Sequence, residues 1–244
     1  MGRGVSIRAL EYRYPGGFSV SVPCLELSPG VPAALTGISG SGKSTVVECI
    51  GLLKHGSCTR FILGDSDVLA VESEAQRAHL RQGQIGFMPQ SGGLVAFLTV
   101  RENLQVQIML ALKARGIAQN KAPALLQQAK EVAAALGIAD LLNKYPHQLS
   151  VGQRQRAVFC RAVSAQPQLL LIDEPTAALD PAKARVLFSL IAQICRDLQC
   201  CALVVTHDVR NAALFKTHYA LDEAASNGEH SVFALQSAEG ICPA

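Results

Sequence analysis

The sequence lacks the features that mark most specialised protein classes. No uninterrupted apolar run approaches the ~18 to 20 residues that cross a bilayer, and the opening MGRGVSIRALEYRY has no apolar stretch of the signal-peptide kind. A soluble chain is expected. Nor is there an excess of one charge: the formal net charge is +3 with both signs mixed, without the dense basic stripe of a nucleic-acid binder. No direct nucleic-acid partner is therefore expected. The eight cysteines, at 24, 49, 58, 160, 195, 200, 201 and 242, form no Cys-x-x-Cys pair and have no histidine at zinc-finger spacing. Most lie in apolar runs, where cysteine acts as a small hydrophobe, so all are read as free thiols suited to a reducing cytosol. At 244 residues the chain can bury a sizeable core, as one large domain or one domain carrying a subdomain.

What is present is a phosphate loop. Residues 37–45 read GISGSGKST, which fits Gly, any four residues, Gly, Lys, Ser/Thr, and they follow an apolar run at 33–35 that serves as the preceding strand. Glycines at 37, 40 and 42 carry no Cβ to hold the backbone off a polyphosphate. Successive amides of Gly37, Ile38, Ser39, Gly40, Ser41 and Gly42 can then converge on its oxygens. Lys43 supplies a point charge for the outer phosphates and Ser44 a hydroxyl for Mg²⁺, while the helix beginning at Ser44 and Thr45 aims its positive end at the same place.

Elsewhere, short apolar runs over 6–27 broken by Pro15, Gly16, Gly17 and Pro23 predict a small antiparallel β system carrying Tyr14, whose ring could stack on a base or fill a core edge. A helix is expected over 46–54 and another over 67–81, then a strand at 85–88 that stops at Pro89 and leaves Gln90 at its carboxyl end. From 99 to 137 the period becomes helical, with Leu125, Leu126, Ala129, Val132, Ala133 and Leu136 on one stripe and Gly137 as the stop. Ser150 caps a helix to 165 with Gly152 in its first turn, a second place where free N–H groups could meet an anion.

Strand 169–172 ends in Asp173 and Glu174. Two adjacent acids at the end of a buried strand need a partner, which points to a cation at Asp173 and a base that deprotonates water at Glu174. A helix over 182–199 leads to strand 202–205 and His207, on the same rim as Gln90 and Glu174. The tail from 217 reads as a hairpin around Asn227 and Gly228.

With these residues in view, the chain resembles the ATP-binding cassette (ABC) ATPases from Tyr14 to Asp208. GISGSGKST is similar to the family's Walker A, MPQ to its Q-loop at Gln90, LSVGQ at 149–153 to its signature, LLLIDEP to its Walker B, AALD to the D-loop ending at Asp180, and VVTHD to the switch histidine at His207. The resemblance implies an α/β fold, a P-loop NTPase core with a mostly parallel sheet, an N-terminal antiparallel β subdomain and an inserted helical subdomain at about 95–165, all within one cassette spanning 1–244. It further implies ATP and Mg²⁺, with Tyr14 stacking on the base and Gln90 sensing the γ-phosphate and the metal. Two cassettes would face each other head to tail, so that Ser150, Gly152 and Gln153 of one meet the ATP of the other and Asp180 links the two sites. The implied role is to power a multi-span membrane permease, as a homodimer peripheral to the cytoplasmic face of the membrane.

Within the family the run AHLRQGQIGFMPQ, followed by LTVRENL, looks most like the bacterial ATPases of lipoprotein-release and macrolide-efflux complexes. One departure stands out: Val151 occupies the place of the signature's first glycine, which predicts an active enzyme with altered closure. The rival expectations are a soluble ABC-type ATPase acting on nucleic acid or ribosomes and a regulatory module that closes on ATP without hydrolysing it. The first lacks the long coiled coil or second cassette it needs, and Glu174 and His207 argue against the second.

Overall fold

The computed structural model describes residues 4–176, 181–222 and 225–235. Strands β1 (Val5–Arg13) and β2 (Ser19–Leu27) pair antiparallel, in register from Val5 with Leu27 to Arg13 with Ser19, across the turn at Pro15, Gly16 and Gly17. The alternation over 6–27 is thus a hairpin. Strand β3 (Pro32–Thr36) is buried along its whole length and runs through the phosphate loop into helix α1 (Lys43–Ile50).

Helix α1 stops short of the expected residue 54. Leu52 adopts φ 59, and the N–H groups of Leu52 and Leu53 return to the carbonyls of Cys49 (3.1 Å) and Glu48 (2.8 Å). Such a left-handed closure normally uses glycine, so nothing in the local sequence announces it.

Strands β4 (Arg60–Leu63) and β5 (Ser66–Asp67) come next, then helix α2 (Glu74–Gln84) and strand β6 (Ile85–Met88). The helix expected over 67–81 is therefore corrected. The Asp67 carboxylate accepts from the Leu69 N–H (3.0 Å) and holds only a single tight turn over 68–70. The true start is Ser73, whose hydroxyl accepts from the Gln76 N–H while the Gln76 side chain accepts from the Ser73 N–H. Strand β4 was not expected; it forms because β1 offers a free edge, pairing Val5 with Leu63 and Arg8 with Arg60.

Helices α3 (Val100–Ala114), α4 (Ala122–Ala135) and α5 (Val151–Val163) occupy the stretch read as helical. Of the predicted stripe, Ala129, Ala133 and Leu136 are buried, Leu126 and Val132 pack partly against them, and Gly137 turns the chain at φ 65. Strand β7 (Leu169–Asp173), helix α6 (Pro181–Leu198), strand β8 (Cys201–Thr206), the short helix α7 (Val209–Ala212) and the hairpin β9 (Thr217–Leu221)–β10 (His230–Leu235) complete the described chain.

The strands form one ten-stranded sheet in the order β5-β4-β1-β2-β10-β9-β3-β8-β7-β6. Neighbours from β9 through β3, β8 and β7 to β6 are parallel, and β10 joins this half to the antiparallel hairpin by pairing antiparallel with β9 and parallel with β2. Both faces of the parallel half are covered. Ala34, Leu170, Ile172, Ala202 and Val204 pack under the helices α3 to α6, while Ala33, Leu35, Leu171, Leu203 and Val205 face α1 and the inner residues of β1 and β2. Burial on both faces explains why these strands read as continuous apolar runs. It also sandwiches α1 between two layers of strand, fixing the helix that begins in the phosphate loop.

Cysteines 49, 58, 160, 195, 200 and 201 are free, as read from the sequence, whereas Cys24 is disulfide-bonded, which that reading did not foresee. Among the described residues no helix is long and apolar enough to cross a membrane.

Candidate functional site

The parallel strands β3, β8, β7 and β6 are neighbours, so their carboxyl ends bring the phosphate loop, His207, Glu174 and Gln90 to one rim. A cleft of about 770 Å³ opens there, lined by Tyr14, Phe18, Ser39, Gly40, Gly42, Lys43, Ser44, Thr45, Gln90, Glu174 and His207.

The loop needs glycine at 42 for two separate reasons. Its φ is +92, and a Cβ there would come within 2.6 Å of Val20 Cγ2, so the hairpin seals the loop from behind. Gly42 is also the N-cap of α1 and brings no side chain to bond the first-turn N–H groups. Those donors remain for a ligand. Ser41 Oγ donates to the Ile38 carbonyl (2.8 Å), and Lys43 Nζ donates to the carbonyls of Gly37 (2.9 Å) and Ile38 (2.7 Å), bracing the loop from inside. Burial lowers the Lys43 pKa, with the carboxylates of Glu174 and Asp173 pulling the other way.

Asp173 and Glu174 are 6% and 8% exposed. Burial raises the Asp173 pKa, the adjacent Glu174 charge adds to the rise, and the hydrogen bond from Ser44 and the Lys43 charge offset part of it. Asp173 Oδ1 is buried and has no hydrogen-bond partner. An orphaned carboxylate oxygen beside a serine hydroxyl and a phosphate loop suits a small hard cation, which takes few protein ligands and completes its shell with phosphate and water. Ser44 and Asp173 therefore fit Mg²⁺. Among the described residues no group of three or more His, Cys, Asp or Glu could hold a metal.

Glu174 sits at φ 49, a left-handed backbone that costs a bulky residue roughly 1–3 kcal/mol, and its N–H donates to the Val205 carbonyl (3.0 Å). The outcome of that turn is that Oε2 faces His207 Nδ1 at 2.9 Å. His207 is the more exposed partner, with a side chain 67% accessible against 10% for Glu174. Gln90, just past β6, is exposed at the cleft's edge.

Tyr14 lies on the wall of the cleft with its hydroxyl tied down: it is 2.6 Å from Thr45 Oγ1 and accepts from Lys54 Nζ at 2.8 Å. Phe18, 6.1 Å away centroid to centroid, lines the same wall and was missed from the sequence. The signal was available. A turn at 15–17 between two strands makes 14 and 18 cross-strand neighbours, and Tyr14 N–H indeed donates to the Phe18 carbonyl at 2.8 Å.

The structure does not bring Ser150, Gly152 and Gln153 into this cleft. Ser150 and Gly152 line a separate cavity of about 450 Å³ with Leu136, Arg156, Val186 and Leu190. Ser150 Oγ accepts from the Gln153 N–H (3.3 Å) and Gln153 Oε1 accepts from the Ser150 N–H (2.9 Å), a closed capping box. Val151 beside it is 61% exposed. Asp180 lies outside the described residues.

A family model described as ABC transporter matches residues 22–177. The chain is 35% identical over 188 residues to the lipoprotein-releasing system ATP-binding protein LolD 2 of Caulobacter vibrioides, covering 77% of this chain and 79% of that protein. It is 37% identical over 185 residues to the methionine import ATP-binding protein MetN of Xanthomonas euvesicatoria, covering 76% of this chain but 52% of that protein. Among solved structures, the dimer of a bacterial ABC transporter cassette superposes with a TM-score of 0.75 at 25% identity, over 88% of this chain and 93% of the other. A post-hydrolysis dimer of the same cassette, bound to ADP and Pi, superposes equally well, with a TM-score of 0.75. With the family matched over most of its length and the sheet matched in three dimensions, the chain belongs to the ABC transporter family and is an ATP-binding, ATP-hydrolysing member of it.

Proposed function

We propose that the cleft holds Mg·ATP, that two copies of this chain close head to tail around it, and that hydrolysis reopens them to drive a multi-span permease from the cytoplasmic face of a membrane. In this reading 1–244 is one cassette, with about 95–165 as its helical subdomain; the mutual packing of α3, α4 and α5 supports that division. The observation that carries the reading is the buried, unpaired Asp173 Oδ1 in the same site as the Glu174–His207 pair and the phosphate loop.

The residues then act as follows. Loop amides from Gly37 to Gly42 and the start of α1 bind the phosphates, and Lys43 exchanges its loop carbonyls for phosphate oxygens. Ser44 and Asp173, with Gln90 near the edge, would hold Mg²⁺, which supplies positive charge against the phosphate oxygens when bound. Glu174 takes a proton from the water that attacks the γ-phosphorus, and ADP and inorganic phosphate result. His207, within hydrogen-bond distance of Glu174 Oε2, orients that carboxylate and can meet the γ-phosphate with its exposed edge. Ser150, Gly152 and Gln153 of the second copy contact the same phosphate from across the interface. Because the γ-phosphate links both copies, its release removes the link. LolD 2 and MetN are by name components of lipoprotein-releasing and methionine import systems, and this chain takes the corresponding ATPase role in a transporter.

Glu174→Gln tests the reading. It keeps size and hydrogen bonding but cannot take the proton, so turnover should fall about 10²- to 10⁴-fold while ATP binding persists and ATP-bound dimers accumulate in size-exclusion chromatography. Undiminished turnover would remove Glu174 from the role of base.

A further inference from the structure

We propose that Lys54, anchored by Glu48, is a positioning residue for the nucleotide: it holds the Tyr14 ring in place for the base without touching the nucleotide itself. The inference rests on the reading of Tyr14 as the base-stacking aromatic and adds the device that fixes the ring.

The Tyr14 backbone is held by the turn, its N–H donating to the Phe18 carbonyl (2.8 Å) and its carbonyl accepting from the Gly17 N–H (3.0 Å), but these bonds leave the ring's own rotation free. Tyr14 sits past the end of β1, against the turn Pro15-Gly16-Gly17, and is only half-buried. An aromatic platform in such a place loses affinity to its own motion unless something orders it. Here the hydroxyl end of the ring is ordered from the side of α1. The Tyr14 hydroxyl is bonded to Thr45 Oγ1 (2.6 Å) and receives Lys54 Nζ (2.8 Å), and Lys54 Nζ is paired with Glu48 Oε2 at 2.8 Å. The same ammonium lies 4.7 Å from the centroid of the Tyr14 ring and 5.2 Å from that of Tyr12, which meets Tyr14 edge-on at 5.0 Å and 85°.

Thr45 and Glu48 belong to α1, and Lys54 directly follows its left-handed closure, with its own N–H donating to the Glu48 carbonyl at 3.1 Å. The ring that meets the base is thereby latched to the helix whose other end meets the phosphates. The premature end of α1 acquires a purpose: a helix continued to 54 would carry Lys54 about 9 Å along the axis from Glu48 and roughly 120° around it, away from the Tyr14 hydroxyl. Partial burial works against the Lys54 charge, but the hydrogen bonds to Glu48 and Tyr14 outweigh it and raise the pKa above the ordinary lysine value. The latch stays charged throughout the physiological range.

Steady-state ATPase and equilibrium binding on Lys54→Met, Lys54→Arg, Tyr14→Phe, Tyr14→Ala and the Lys54→Met/Tyr14→Phe double variant test this, with Mg·ATP and inorganic tripolyphosphate as the two probes. Lys54→Met is expected to raise KM for ATP about fivefold, the equivalent of one net hydrogen bond, with kcat changed less than about twofold. Tripolyphosphate, which has no base, should bind Lys54→Met as it binds the parent chain. Lys54→Arg should restore most of the loss, and Lys54→Met should cost clearly less in the Tyr14→Phe background, where the bonded hydroxyl is gone and only the ammonium's contact with the ring is left to lose. A fall in kcat at constant KM, an equal loss of tripolyphosphate binding, or a full Lys54→Met effect in the Tyr14→Phe background would overturn the inference. The two layers separate cleanly. If Tyr14→Ala leaves ATP affinity unchanged, the base-stacking reading fails; if Tyr14→Ala weakens ATP and Lys54→Met does not, only the role of Lys54 falls.

Discussion

The N-termini of α1 and α5 are made from different chemistry, and on the proposed head-to-tail arrangement the contrast lets one chain carry both halves of a shared site. Helix α1 starts at Gly42, whose side chain can satisfy nothing, inside a loop that Val20 and Lys43 hold rigid from two sides. Its donors are left open by construction. Helix α5 starts at Ser150 with a closed capping box to Gln153, so the N–H groups of Ser150 and Gln153 are satisfied within the chain and the hydroxyl proton of Ser150 stays available to donate. The first end can receive phosphate unaided. The second has no lysine and no glycine-lined cradle, so its few donors hold a charged oxygen only where that oxygen is already fixed by other groups. On the proposed head-to-tail arrangement that oxygen belongs to ATP already seated on the other copy, and the order of events follows: ATP binds at α1 first, and α5 engages last.

The largest test of this asymmetry is Lys43→Ala. It removes the charge from the open end and should lower ATPase activity by about 10²- to 10³-fold and abolish ATP-driven dimerisation, read by turnover and light scattering. Ser150→Ala attacks the other end. ATP affinity of the single chain should stay near the parent value while turnover falls about tenfold, and the lost cap should lower stability by about 1 kcal/mol in denaturant unfolding. Equal losses of monomer affinity from both variants would dissolve the distinction between the two ends.

Val151→Gly sharpens the comparison further. It relaxes the exposed first residue of α5 and should shift the ATP concentration for dimer closure by about two- to threefold, at about 0.5–1 kcal/mol of helix stability. The smallest expected effect is at α3, whose Thr99 and Glu102 form a capping box like that of α5. Hydrogen bonds from the Thr99 backbone and side chain hold the Glu102 pKa below its ordinary 4.5. A depressed carboxylate stabilises the fold above the unfolded value and loses that contribution as pH falls through the folded one. Glu102→Gln should therefore flatten the acid limb of Tm against pH below about 4.5 and leave ATPase activity unchanged.

Much of the site was legible because its chemistry is local. GISGSGKST, the adjacent acids at 173 and 174, and the Ser150–Gln153 spacing are short-range patterns whose meaning survives without knowing the fold. The parallel strands were legible because burial on both faces leaves continuous apolar runs. Strands β4 and β5 were not, since neither has enough residues to show a period and both exist only because an edge of β1 or β4 is free to pair. The end of α1 escaped for the opposite reason: Leu52 carries a conformation that residue type disfavours, imposed by its burial at 2% exposure rather than by propensity. Cys24 was misread because its partnership depends on the fold and not on spacing.

The amino-acid order alone determined that this chain handles a nucleoside triphosphate, because the phosphate loop and the paired acids at 173 and 174 are specified by residue type at fixed short spacings. It also placed Gln90, Glu174 and His207 at strand ends. Only the tertiary structure decided that the strands bearing them lie side by side as β3-β8-β7-β6, that Glu174 turns back onto His207, that Phe18 and a latched Tyr14 wall the cleft, and that the α5 cap lies apart from it. These are contacts between residues far apart in the chain, settled by how the sheet orders its strands and buries both faces, and no local pattern encodes that order.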